Sequence, residues 1–303
     1  MSDVRKQVVA EILLVAVAAV WGATFVMVKE AVALYPTLPF LALRFGLATL
    51  VVAPPALLPR RRGRRGERRR SLRGGFLMGL FLGAGYIFQT LGLERTSASN
   101  AGFITGLFVV LTPVLQGIVW RCWIRGGALV GVLLATVGLF LLSGGAKAGD
   151  PLGDGLVFLC AVSFAAHILA TARYAKGQDP GELTVVQLGT VALLTGILSL
   201  AGAATGLGPA LAVPRARAVL LALAVTAVLA SAAGFYIQTF AQRHAPPTRT
   251  AVILTMEPVF AGVFGYLLAG EVLGPVGWVG AALILAGMLV SERAPRRRGV
   301  VAE

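Results

Sequence analysis

Apolar runs close to twenty residues long recur ten times along this chain, and that recurrence leaves few folds open to it. About 20 apolar residues cross the hydrocarbon core of a bilayer as a helix. By that measure spans are expected at 8–29, 38–58, 74–93, 98–120, 126–143, 153–175, 182–204, 217–240, 247–269 and 275–291. Turn formers stand between them, among them Asp150-Pro151, Asp179-Pro180-Gly181, Pro246-Pro247 and Gly274-Pro275. No gap is long enough for a soluble domain. With only 13% of its residues charged and a mean hydropathy of +0.84, the chain could not cover itself with polar surface in water. The fold class read from these features is an all-α membrane protein. The first run is long enough to span and no small-residue cleavage site follows it, so it reads as a span and not as a cleaved signal peptide.

Part of the chain is written twice. Gly85-Tyr86-Ile87-Phe88-Gln89-Thr90 returns, with changes, as Gly234-Phe235-Tyr236-Ile237-Gln238-Thr239, 149 residues later. Each copy is followed by a short polar turn and a second apolar run. Those runs carry Thr112-Pro113-Val114 and Glu257-Pro258-Val259, 145 residues apart. Matching hydropathy on both sides favours an internal duplication. The expected repeats are residues 1–147 and 148–303. Ten spans in two copies make five per copy, an odd number, so the second copy must enter the membrane from the opposite side. Two inverted five-helix repeats are a recurring plan of secondary transporters, with the substrate site near the midplane where the repeats meet. Here the central cavity is expected between spans 1, 3, 4, 6, 8 and 9.

The net charge of +14 could suggest a nucleic-acid partner, but its distribution points elsewhere. Nine of the 27 basic residues lie within 60–73, between two apolar runs, where they serve as a topology determinant against anionic lipid. With a cytoplasmic N-terminus, 21 basic residues fall on the inner side and six on the outer side. Both termini are therefore expected in the cytoplasm, and the bilayer rather than nucleic acid is the expected partner. Cys122 and Cys160 lie within or beside apolar runs and suggest no disulfide framework.

Several short motifs fall in a fixed order along these spans. They are Trp21-Gly22-Ala23-Thr24-Phe25 with Lys29, Arg44-Phe45, Thr96-Ser97-Ala98-Ser99-Asn100-Ala101, and Glu257-Pro258-Val259-Phe260 with Gly270-Glu271. Their order, spacing and duplication resemble the EamA-type carriers of the drug/metabolite transporter superfamily, over nearly the whole chain. The resemblance implies a ten-helix carrier of the cell (inner) membrane that moves small metabolites, often amino acids or related compounds, commonly outward. It leaves the compound unspecified and homodimerisation open.

Residues able to carry chemistry are few. His167 and His244 have no ligand partner three or four residues away, and neither a catalytic triad nor a phosphate-cradling glycine motif is present. No enzyme activity, metal or cofactor is expected. Glu257 is the sharpest candidate, about ten residues or roughly 14 Å into its span. A carboxylate at such depth costs at least about 2.5 kcal/mol, so it should face protein or a water-filled cavity. It reads either as a group that binds a proton or a substrate amine, or as a carboxyl satisfying backbone groups freed at Pro258. Arg44, about 9 Å deep, reads as a fork for an anionic substrate group or as a side chain snorkelling to the headgroups. Lys29, at the end of its span, has the same two readings. Gln89, Asn100 and Gln238 serve either the substrate or ordinary interhelical hydrogen bonds. His167 is a cavity group or a satisfied core histidine, and Trp21, away from the interfacial belt, a cavity wall. The substrate-site expectation thus comprises Trp21, Lys29, Arg44, Gln89, Asn100, His167, Gln238 and Glu257, with Glu257 coupling to protons. The other reading is a membrane scaffold or subunit whose buried polar groups only hold helices together; its centre would be dry and filled.

Overall fold

A computed structural model of the protein describes residues 3–57, 65–96, 98–124, 126–144, 150–209, 211–269 and 274–293. All regular structure among them is helical. In chain order the elements are α1 (Asp3–Leu34), α2 (Thr37–Leu57), α3 (Arg65–Leu93), α4 (Ala98–Gly106), α5 (Phe108–Trp120), α6 (Gly127–Leu142), α7 (Pro151–Tyr174) and α8 (Pro180–Ala204). There follow α9 (Arg217–Val225), a π-helical segment (Thr226–Ala233), α10 (Gly234–Ala241), α11 (Pro247–Leu254), α12 (Glu257–Ala269) and α13 (Pro275–Arg293). Gly270 and Glu271, Ser97 and residues 60–64 of the basic run lie outside the described residues.

Among the described residues, eight helical stretches are long and apolar enough to cross a membrane; α6 and α13 are apolar but shorter. Their outward surfaces carry Leu50, Ile118, Leu133 and Leu193, each more than half exposed, as lipid-facing residues are. Helix starts follow local chemistry. Asp150 and Asp179 cap α7 and α8, accepting from the backbone N–H of Leu152 (3.3 Å) and Gly181 (2.8 Å). Pro151, Pro180, Pro247 and Pro275 occupy the first helical position, where no intrahelical N–H is needed.

Three of the expected continuous spans are modified. The fourth breaks at Leu107 into α4 and α5, the ninth at Thr255-Met256 into α11 and α12, and the eighth widens into the π segment. At the ninth the reason is visible in the sequence: the ring of Pro258 opposes the carbonyl four residues back, on Leu254, where α11 stops. The third span is longer than expected, because the basic residues from Arg65 to Arg73 continue its helix.

Packing between helices repeats the duplication. Gly131 and Gly138 on α6 lie against Gly287 and Gly280 on α13; a Cβ on any of them would come within 2.5–2.6 Å of the opposing carbonyl oxygen. Adding 149 to 131 and 138 gives 280 and 287, so the same shift exchanges the two contacts. Small residues let these backbones touch without intervening side chains. The equivalent pair α2 and α8 also pack together, and α3 lies on α7 as α9–α10 lie on α1. Aromatic pairs obey the rule too. Trp21 packs at a tilt against Phe235, ring centres 5.2 Å apart, and Tyr86 meets Phe164 edge to face at 5.6 Å, with Phe45 packed near both Tyr86 and Phe235. Tyr86 and Phe235 are second residues of the two hexamers. Gly85 and Gly234, the first residues, leave no room for a Cβ beneath Phe164 and Trp21.

A further pair of links sits at opposite ends of the bundle. Glu11 on α1 accepts from Arg249 on α11 at 2.7 Å and from Gln7 at 2.6 Å. Asp154 on α7 accepts from Asn100 on α4 at 2.6 Å and from Thr96 at 2.7 Å. Asn100 and Arg249 are again 149 residues apart. One link is an ion pair and the other a carboxylate held by neutral donors.

Candidate functional site

A cavity of about 170 Å³ lies in the middle of the bundle, room for about six water molecules at roughly 30 Å³ each. Its lining comes from α1, α2, α3, α4 with α5, α7, α10 and α11 with α12. The expected spans are all present, joined by the second. Four aromatic side chains, Trp21, Tyr86, Phe164 and Phe235, form much of the wall, and Thr24, Thr105, Gln89, Gln238 and His167 punctuate it with polar groups. Two ionisable groups of opposite sign, Arg44 and Glu257, complete it.

Arg44 does not snorkel. It is 5% exposed, and its Nε donates to the Ser231 hydroxyl at 2.7 Å. Its guanidinium carbon lies 5.4 Å from the Phe45 ring centre and 5.8 Å from that of Tyr86, within cation–π range. Ser231 belongs to the π segment, and so does Ala230, whose carbonyl accepts from the Trp21 indole at 2.8 Å. The widened turn therefore supplies partners to two cavity residues at once; π segments recur at functional sites. The Glu257 carboxyl opens on the cavity and has no hydrogen-bond or ion-pair partner among the described residues, so the reading in which it satisfies backbone near Pro258 is not what the geometry displays.

The amides divide. Gln89 donates to Thr105 at 3.3 Å, and both line the cavity. Gln238 donates to Gln242 at 3.2 Å while its own carbonyl oxygen is buried without a partner. An orphaned acceptor costs about 1–3 kcal/mol, and a donor entering the cavity would relieve it. His167 lines the cavity and meets Gln187 through Nε2 at 3.0 Å; Gln187 in turn donates to Thr239 at 3.0 Å. Asn100 is elsewhere: it is buried at the link to Asp154 and does not line the cavity, so the interhelical role describes it. Lys29 lies on α1, with its side chain outside the described residues.

Sequence reasoning missed Tyr86, Phe108, Phe164, Phe235, Thr24 and Thr105 as cavity residues, and Ser231 as the partner of Arg44. Tyr86 and Phe235 sit beside Gln89 and Gln238 inside the duplicated hexamer, which pointed at them. Nothing in the sequence announces the π turn that presents Ser231.

Comparison with known proteins agrees with this architecture. The model of the EamA-like transporter family matches twice, at residues 8–144 and 151–292. The chain belongs to the EamA-like transporter family. An uncharacterized transporter of Archaeoglobus fulgidus is 33% identical over 285 residues, covering 94% of this chain and 86% of that one. The uncharacterized inner membrane transporter YedA of Escherichia coli K12 is 23% identical over 275 residues, covering 89% and 86%. A crystal structure superposes with a TM-score of 0.76 at 17% identity, over 92% of this chain and 95% of that one; at this identity the likeness concerns fold alone. The protein is a multi-pass membrane transporter of this family.

Proposed function

We propose that the chain is a secondary carrier of a small zwitterionic metabolite, an amino acid or related compound, working by alternating access and in the export direction. Its ten helices form two five-helix repeats of opposite orientation, residues 1–147 and 148–303, with both termini in the cytoplasm. The observation that carries this reading is a central cavity holding one guanidinium and one carboxyl that has no hydrogen-bond partner among the described residues, between aromatic walls. Arg44 would take the substrate's carboxylate, for which its planar fork is suited. Glu257 would take the amine or, in exchange, a proton. Trp21, Tyr86, Phe164 and Phe235 would cover the apolar body, and the free oxygen of Gln238 would accept a substrate N–H or O–H. The scaffold reading predicts a dry, filled centre, and the polar cavity argues against it.

The two exchanged glycine contacts between α6 and α13 support the inverted arrangement, since a twofold axis in the membrane plane interconverts them. The test uses proteoliposomes with and without an imposed pH gradient, supplied with a panel of amino acids. Glu257→Gln keeps shape and hydrogen bonding but fixes a neutral group. Net transport driven by the gradient should fail in this variant while exchange of the same compound survives. A variant that answers the gradient as the parent does would leave Glu257 without a coupling role.

A further inference from the structure

The two repeats differ at one pair of equivalent elements. Every residue of α11 is buried. In α4, its counterpart in the first repeat, Gly102 is exposed and Phe103, Ile104 and Thr105 are only partly covered. The difference has a packing origin. α11 lies against α5 and α7, across the cavity axis, whereas among the described residues α4 has no comparable packing on α12 or α1. Among the described residues the packing is tighter at the end where α1 begins than at the other.

Two hydrogen bonds cross the tighter end. The Thr248 hydroxyl on α11 donates to the Gln116 carbonyl oxygen on α5 at 3.0 Å. That amide is oriented by its own nitrogen, which donates to the Cys122 carbonyl at 3.5 Å. Just beyond α10, Gln242 donates to the Ile168 carbonyl on α7 at 2.9 Å. It also accepts from Gln238, so a chain of amides runs from the cavity wall to the tighter end. The first repeat cannot copy these links. A shift of 149 takes Gln242 back to Leu93, and the shift of 143 that takes Phe164 to Trp21 takes Ile168 to Phe25; Gln116 advances to Gly265. None of these side chains offers an amide.

We propose that Thr248–Gln116 and Gln242–Ile168 are polar clasps that hold the cavity shut toward the N-terminal face. Because the pseudo-equivalent positions at the other end lack such links, they set the resting carrier open toward the opposite face. The inference rests on the alternating-access reading above. The Glu11–Arg249 and Asp154–Asn100 links are not clasps of this kind: each end of the bundle has one, so they favour neither face.

The test needs no substrate. In a background lacking both natural cysteines, Thr105→Cys places a reporter in the cavity. A membrane-impermeant maleimide is applied to right-side-out and to inside-out vesicles. The reporter should react only from the face opposite the N-terminus. Each lost hydrogen bond is worth roughly fivefold in the opening equilibrium, so Thr248→Val with Gln242→Leu should raise labelling from the N-terminal face about 20- to 30-fold. A disulfide between Gln116→Cys and Thr248→Cys, with Gln242→Leu present, should suppress that labelling until reductant is added. Unchanged single-sided labelling in the double variant overturns the clasps while leaving the carrier reading intact. A reporter silent from both faces, or open to both in the parent, overturns the carrier reading and the clasps with it. Retained labelling from the original face and a monodisperse elution profile confirm that the variant is folded.

Discussion

Replacing Arg249 with methionine removes a charge from the first turns of α11 while keeping most of the side chain's length and apolar stem. In the parent its Nη1 is 2.7 Å from Glu11 Oε1, and each side chain is only 9% exposed, so water screens the pair little. Gln7 donates to the same oxygen at 2.6 Å. The variant therefore leaves a buried carboxylate with one neutral donor. Breaking a buried pair by deleting one partner costs about 3–5 kcal/mol; with Gln7 still in place the lower part of that range is expected. At roughly 2 °C per kcal/mol for a large domain, Arg249→Met should lower the melting temperature by about 6–8 °C in a fluorescence-detected thermal scan in lipid or detergent. Adding Glu11→Gln should recover most of the loss, because two neutral side chains strand no charge. A shift below about 2 °C in the single variant, or a double variant no better than the single, would refute an ion pair that matters to stability.

Arg44→Lys should insert normally yet weaken binding of the identified anionic or zwitterionic substrate by tenfold or more, since charge remains but the planar fork is lost; unchanged affinity in equilibrium binding would remove Arg44 from the site. Gly138→Ala should lower the melting temperature, because its Cβ would lie 2.6 Å from the Gly280 carbonyl. Overpacking of this kind costs about 1–3 kcal/mol, and Gly102→Ala, with open space around it, is the matched control and should be silent.

Much of the fold was legible because the bilayer imposes a length and a hydropathy on whatever crosses it. Pro151, Pro180, Pro247 and Pro275 marked helix starts for a local reason that survives in three dimensions. The duplicated hexamer led to Tyr86, Gln89, Phe235 and Gln238, which the structure brings to one cavity. What stayed hidden depends on geometry that no single residue encodes. A π turn is a register change in hydrogen bonding, and Ala230 and Ser231 look like any small residues in an apolar helix. Arg249 read as one more inner-face charge, since its partner Glu11 lies 238 positions earlier in the chain. Asn100 and Gln238 were indistinguishable as neutral amides inside spans. Only the packing of α4 against α7 separates a helix tie from a cavity wall.

Arg44 and Glu257 also have an electrical side. They come from different repeats, and the shift that superposes the hexamers gives neither a charged counterpart, so the cavity's two charges among the described residues break the pairing of the scaffold. With the carboxyl ionised these two charges cancel, and in the proposed cycle membrane voltage would do no net work on the pair as access changes sides. Protonation of the carboxyl leaves one positive charge, and a charge carried through the full potential exchanges about 2.3 kcal/mol per 100 mV. In the proposed cycle, a single proton on Glu257 would decide whether the returning carrier feels the voltage across its membrane.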